Sequence, residues 1–413
     1  MMPTSREYDL VFFGATGFVG GLTVEYLVRQ LPTGLRLAIA GRRRDALESV
    51  ARSAGRDVDV LVADVRDPAA LDAMAKRTAV LVSTVGPYTE LGADLVRACA
   101  ENGTDYADLA GEPLFVRASI LAHHETARAT GARIVHSSGF DSVPSDLAVK
   151  LLADRAHADG EGDLCETTMV VRAIRGGLSG GTAASGLAHG RTMSVSAAAR
   201  SVARDPYSHS HRRWDEPELG PQSDGRFVSL AAVSPELSGW AGGFFMAFHN
   251  TRVVRRSNTL TDWSYGRRFK YSEVMAFPGG PLSLLPAGAA AIGMSGVYGA
   301  SRLLAFVPES VSGAVLPGRG TGPSARSRAK GYFSFATYTT TASGAEYRAT
   351  FAMDGDPGYA ATAVILGESA LALAVDREQL GQAGVITPAV AMGDVLSERL
   401  RRANARIDVD RLR

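Results

Sequence analysis

Gly14-Ala15-Thr16-Gly17-Phe18-Val19-Gly20 follows the apolar, β-rich run Tyr8–Phe13 and opens the helical pattern Phe18–Gln30. A glycine-rich turn between strand and helix suits a dinucleotide's pyrophosphate. Glycine permits the tight turn, lets backbone approach the anion and lets helix and strand pack closely, while the helix start offers unpaired N–H groups. The spacing is GxxGxxG rather than the commoner GxGxxG, with the same physical elements. Outward from this turn, the apolar runs Leu35–Ala40, Val58–Val62, Ala79–Thr84, Asp105–Asp108 and Ala132–His136 alternate with amphipathic helical stretches. This alternation predicts an α/β fold with a doubly wound parallel Rossmann sheet of six strands, its ligand lying outside the strands' carboxyl ends.

The end of the second strand reads the cofactor. Where an acidic side chain would accept hydrogen bonds from a ribose 2′-hydroxyl, this chain has Ala40-Gly41-Arg42-Arg43-Arg44. Guanidinium groups such as Arg42 and Arg43 pair with a 2′-phosphate, so NADPH is the expected cofactor. Asp64, closing the third strand, is either a partner for the adenine amino group or a plain turn carboxylate. Thr84-Val85-Gly86-Pro87-Tyr88 follows the fourth strand, where the nicotinamide half is expected and where Gly86 allows close approach.

A chain of 413 residues exceeds the size at which single cores stop growing, so two domains are expected. Near-equal counts of basic and acidic residues, 44 and 43, leave no electrostatic footprint for nucleic acid. Cys99 and Cys165 match no metal or redox spacing. The first ten residues lack the pattern of a secretory leader, which predicts a cytoplasmic protein. Phe277–Ser301 is uncharged, but it is rich in Gly, Ala, Ser and Pro, so a buried or peripherally membrane-touching helix is expected there rather than a span. The sixth strand runs into Gly139-Phe140-Asp141-Ser142-Val143-Pro144-Ser145, and a domain boundary is placed just after it, near residue 150. Beyond it an α+β domain is expected: a strand at Cys165–Ile174, a helix over Thr182–Val202, a loop at 203–226, and a β-hairpin from Gly331–Thr341 and Glu346–Met353. An Ala-rich helix to about Val375 and a last helix near Ala389–Arg402 follow.

The Tyr-x-x-x-Lys pair of short-chain dehydrogenases is absent: the residues four before the lysines are Asp72, Asp146, Gly266 and Arg326. His123-His124 and His209-Ser210-His211 lack companion ligands, so no metal is expected. In order along the chain, Gly14–Gly20, Ala40-Gly41-Arg42, Thr84–Tyr88, Gly103–Leu109, Gly139–Asp146, Gly176–Thr182, Asp356–Tyr359 and Thr387-Pro388-Ala389 resemble the saccharopine-dehydrogenase-like oxidoreductases, and within them the trans-acting enoyl reductases. Leu91 departs from the aromatic expected at that point of the pattern. The resemblance implies reduction of a carbon–carbon double bond in an acyl chain on a polyketide synthase, in the making of phthiocerol- and phenolphthiocerol-type lipids. It also implies that the C-terminal helices return to the first domain, giving residues 1–150 plus about 376–413 as the NADP-binding domain and 151–375 as a substrate and oligomerisation domain, a homodimer being one outcome.

Enoyl-thioester reduction needs hydrogen-bond donors for an enolate and one acid. Tyr88, Asp141 and Ser142 are the catalytic candidates, the last two competing with a helix-cap reading; His136 reads as a core histidine. Gly176, Gly177, Ser179, Gly180 and Thr182 form a second Gly-rich turn that could hold a thioester carbonyl or a carrier phosphate. Phe277–Val307, with Phe244-Phe245-Met246, supplies apolar surface for a lipid or membrane. Two rivals stand beside this reading. One is a saccharopine-reductase-like enzyme acting on an imine, whose carboxylates would need converging arginines, for which Arg252, Arg255, Arg256, Arg267 and Arg268 are available; the other is an NADPH-sensing protein without turnover.

Overall fold

The computed structural model describes residues 6–176, 192–193, 196–277, 279, 283–288 and 322–413. The first domain is built from β1 (Tyr8–Phe13), α1 (Phe18–Gln30), β2 (Leu37–Gly41), α2 (Arg44–Ser53), β3 (Asp59–Val62), α3 (Pro68–Lys76), β4 (Thr78–Ser83), α4 (Tyr88–Leu91), α5 (Ala93–Asn102), β5 (Asp105–Asp108), α6 (Pro113–Thr130) and β6 (Arg133–Val135). Its punctuation is local chemistry. Asp67 accepts the Ala69 and Ala70 N–H groups ahead of Pro68 to start α3, and Gly103 and Gly131 take positive φ to end α5 and α6.

Then come α7 (Val143–Ala158), β7 (Leu164–Arg175), α8 (Ala197–Arg204), β8 (Val228–Ser229), β9 (Trp240–Gly243), α9 (Ala247–Leu260), β10 (Lys270–Phe277), α10 (Ala325–Arg328), β11 (Tyr332–Thr341), β12 (Glu346–Asp354), α11 (Thr362–Val375), β13 (Gly384–Ile386), α12 (Pro388–Arg402) and β14 (Arg406–Arg411). The first sheet runs β13-β6-β5-β4-β1-β2-β3, every pairing parallel. It has seven strands rather than the six expected, because Gly384–Ile386 returns to pair with β6; three residues are too short for a periodicity signal. The second sheet runs β14-β12-β11-β7-β10-β9-β8 and is antiparallel except for β7 with β10.

The two sheets share a core. One apolar cluster runs from Leu10, Phe12 and Leu27 under β1 through Val143, Leu147 and Leu366 to Phe333 and Phe351 of the second sheet. The expected boundary near 150 cuts α7, which starts at the end of β6 yet packs on β11 and β12. The tail divides differently as well: α11 packs on α1, while β14 pairs with β12, so Arg406–Arg411 belongs to the second sheet. The helical stretch Pro357–Val375 is long and apolar enough to cross a membrane, but most of it is buried in the protein. Phe277–Ser301 falls largely outside the described residues, as does the start of the expected helix at Thr182–Val202.

Buried polar groups fasten the shared core. Asp146 on α7 is fully buried and accepts the Ser257 hydroxyl of α9 and the Ala389 N–H of α12 at 2.8 Å. Replacing it with alanine strips the Ala389 N–H of its acceptor and leaves the Ser257 hydroxyl with Thr387 and the Val253 carbonyl. Asp146→Ala is therefore expected to lower the unfolding free energy by about 3 kcal/mol, in a single urea transition reporting both sheets together.

Candidate active site

The glycine turn is made by close approach rather than by side chains. Gly14 has φ +99°, and a Cβ on it would lie 2.8 Å from Thr84 Oγ1 and 2.9 Å from Val85 Cγ2. A Cβ on Gly20 would lie 2.2 Å from the Gly14 carbonyl oxygen, so strand, turn and helix can meet only without one. Gly17 caps α1 with backbone alone: no side chain bonds the first N–H groups, and the first turn holds no carboxylate. Ala15 is buried, Thr16 and Gly17 are exposed, and Phe18 and Val19 are half-buried. A pyrophosphate fits this open, positively polarised helix end.

At the neighbouring strand ends, Arg42 and Arg43 are exposed and meet no anion among the described residues, whereas Arg44 lies 3.9 Å from Glu48. Asp64 accepts the Arg66 N–H at 2.9 Å, which makes it a turn carboxylate; its second oxygen has no described partner. Ala63 N–H donates to the Gly41 carbonyl at 3.0 Å, setting the Asp64 turn beside the start of the arginine run. Thr84, Val85 and the exposed Gly86 close the other side of the turn, and Pro87 is buried after a cis peptide.

Tyr88 does not face the cleft. It is buried against Phe115, and its hydroxyl donates to the Ser83 carbonyl and accepts the Leu109 N–H, each at 3.1 Å. Burial pushes the phenol well above its usual range, and its one proton is already given to backbone. The expectation that it donates to substrate is therefore corrected: a tyrosine at the start of a short helix packs inward when its hydroxyl finds two main-chain partners. Glu112 was missed. This buried carboxylate accepts the Tyr88 N–H at 2.9 Å, the Thr89 N–H at 2.8 Å and the Thr89 hydroxyl, locking the turn after Pro87. Its only sequence signal was its place before Pro113.

Asp108, His136 and Ser119 line up at 2.7 and 2.8 Å, but all three are buried, with His136 packed on Tyr106 and Phe115. They join β5, β6 and α6 rather than line a site.

The group left free is Asp141. Phe140 before it packs on Phe333 and Phe335 of the second sheet, with ring centroids 4.7 and 5.5 Å away. Ser142 after it donates to Asn250 Oδ1 of α9 at 2.8 Å. Asn250 and Ser145 in turn donate to the buried Glu273, at 3.0 and 2.7 Å. Between these anchors the half-buried Asp141 carboxyl accepts no hydrogen bond and makes no ion pair among the described residues, and burial raises it to about 6. Ser142 is spent on Asn250 and so positions the loop.

Gly176 ends the described part of the second glycine turn; a Cβ on it would meet Pro357 Cδ at 2.5 Å and Asp356 Oδ2 at 2.7 Å, which marks it as a packing glycine. Gly177, Ser179, Gly180 and Thr182 lie outside the described residues. The five arginines of the imine reading do not converge. Arg252 and Arg255 share Asp224 at 2.8 and 3.5 Å, Arg256 bonds the His209 and Val385 carbonyls, and Arg267 pairs with Asp215, leaving exposed Arg268 without a partner among the described residues.

Residues 10–135 match the saccharopine dehydrogenase NADP binding domain, which spans every residue of the cofactor set. Across the whole chain, a Mycobacterium tuberculosis protein provisionally named a trans-acting enoyl reductase is 50% identical over 420 residues. The trans-acting enoyl reductases of Mycobacterium bovis and Mycobacterium leprae are 45% and 46% identical over 419 and 424 residues; all three comparisons cover 100% of both chains. Among solved structures, saccharopine dehydrogenase from Saccharomyces cerevisiae superposes with a TM-score of 0.53 at 12% identity, covering 98% of this chain and 99% of that one, a likeness of fold. NADPH is the cofactor that this domain takes.

Arg42→Ala should weaken NADPH binding about tenfold or more in a fluorescence titration while leaving NADH binding unchanged, the difference reporting the 2′-phosphate. Tyr88→Phe should retain turnover and lose about 1–2 kcal/mol of stability, since Ser83 and Leu109 lose their buried partner; a large fall in kcat would return the phenol to the chemistry.

Proposed function

The chain belongs to the trans-acting enoyl reductases, carrying the saccharopine-dehydrogenase NADP-binding domain, and from that premise we propose that it reduces the carbon–carbon double bond of an enoyl thioester held by a polyketide synthase. The observation that carries the reading is Asp141: a desolvated carboxyl without a partner among the described residues, held where the first sheet's strands end and the second domain begins.

NADPH, when bound, supplies hydride to the β-carbon of the enoyl chain. The residues of this chain do the rest. The Gly14–Gly20 turn with the open end of α1 holds the pyrophosphate, Arg42 and Arg43 take the 2′-phosphate, and Thr84–Pro87 border the nicotinamide half. Addition at the β-carbon leaves an enolate across the α-carbon and the thioester oxygen. Asp141, protonated, delivers its proton to the α-carbon; a carboxyl raised toward neutrality suits that role better than one with an ordinary value. The anchors Phe140 and Ser142 hold it in register with the second domain, which would carry the acyl chain. The spent arginines favour an uncharged acyl substrate over one bearing several carboxylates. Assembly of phthiocerol-type lipids in the cytoplasm extends this reading; the family resemblance supports the first part, and the free thiols Cys99 and Cys165 accord with the second.

The acid must be protonated to act, so kcat/KM for an enoyl thioester should hold level at low pH and fall as pH rises through about 6. Asp141→Asn should lower kcat by about a hundredfold and abolish that limb, with NADPH affinity retained. An unchanged pH profile in this variant would assign the proton to another group.

A further inference from the structure

Ion pairs satisfy many exposed arginines among the described residues: Arg77 has Glu7, Arg155 has Asp159 and Arg411 has Glu161. Against that background, Arg175, Arg326 and Lys330 are exposed together, and none meets an acceptor or a carboxylate among the described residues. Chain geometry groups them. Arg175 ends β7 and pairs with Tyr332, the first residue of β11; a Cβ on Gly331 would lie 2.9 Å from the Arg175 carbonyl oxygen, and Gly331 N–H donates to Arg328 at 3.1 Å. An exposed carboxylate, Asp354, sits across from Tyr332 on β12.

The same turn reaches the cofactor cradle. Arg328 lies over the Phe18 ring at 5.2 Å, and a Cβ on Gly322 would fall 2.4 Å from Phe18 Cε1. Phe18 is the first residue of α1, so this cationic edge borders the cleft on the side where the pyrophosphate is held. It is distinct from Arg42 and Arg43, which stand at the ends of β2 and α2.

We propose that Arg175, Arg326 and Lys330 form the docking surface for an acidic acyl carrier domain, which keeps its own body outside the cleft and points its phosphodiester-linked thioester arm inward. The proposal rests on the enoyl-reductase reading in one respect: a substrate tethered to another polypeptide must enter at an edge where that polypeptide can settle. Opposite charge at the rim speeds and orients such an encounter more than it deepens the bound state, so its signature is dependence on salt.

The test is a double charge reversal, Arg326→Glu with Lys330→Glu, both on exposed side chains. Binding of a fluorescently labelled holo acyl carrier domain from a polyketide synthase is followed by anisotropy at low and moderate salt. The unaltered protein should bind it more weakly as salt rises, and the variant should bind about tenfold more weakly at low salt with little further response to salt. Turnover of a butenoyl N-acetylcysteamine thioester, which carries no phosphate and no protein, should be unchanged in the variant, as should NADPH affinity. Carrier binding that survives the reversal overturns the proposal, and so does a matching loss of NADPH affinity, which would assign the cations to the cofactor. Should the butenoyl thioester not be reduced by the unaltered protein, the reaction reading fails, while the anisotropy still decides the docking surface.

Discussion

The approach of α1 to β1 sets what the first domain can do. At Gly20 the helix comes so close to the Gly14 carbonyl that one added carbon would sit 2.2 Å from its oxygen. That contact brings the start of the helix to the carboxyl end of the sheet, with no capping side chain among the described residues to bond its N–H groups. A capping side chain would have stabilised the helix and filled the place of the ligand. The sheet order follows the same logic, since β1 lies between β2 and β4, and the turn after it opens where the strand order reverses.

The second constraint is that the two domains do not have separate interiors. Helix α7 leaves β6, crosses to the second sheet and is buried along most of its length. Helix α11 is apolar on nearly every face because it has first-domain helices on one side and the shared core on the other. A substrate domain joined in this way cannot swing freely from the cofactor domain. The residues between β6 and α7 are held at both ends by second-domain partners, Phe333 and Phe335 on one side and Asn250 on the other. A ligand at the strand ends would thereby meet one fixed edge of the second domain.

What was legible in the sequence was what local physics determines. The glycine turn, the parallel strands β1 to β6, the hairpin of β11 and β12 and the arginines after β2 all announce themselves by period or by residue type within a few positions. What was hidden depended on partners far away in the chain. β13 is three residues long and exists because β6 offers it an edge. Helix α9, Ala247–Leu260, buries Arg252, Arg255, Arg256, His249 and Asn250, so its polar residues mask the apolar stripe by which a helix is recognised. Its arginines read as ligands for carboxylates until Asp224 and the carbonyls of His209 and Val385 are found beside them. Tyr88 misled for a related reason: its position in the turn is that of a donor to substrate, and only Ser83 and Leu109 show where its hydroxyl is used.

Three carboxyls near the junction are raised by burial, and comparing them separates structure from chemistry. Asp146, at about 6, accepts the Ser257 hydroxyl and the Ala389 N–H. Glu273, at about 7, accepts from Ser145, Asn250 and Tyr271. In both, donors from several elements return part of what desolvation costs, and the group serves as a joint. Asp141 is raised by desolvation with no donor among the described residues to offset it, and it is less buried than the other two. A fold that gains nothing from a carboxyl at this point would be more stable with a small apolar residue there. Its place between two anchored neighbours, beside the strand ends where the nicotinamide half is expected, suits the proton delivery proposed for it.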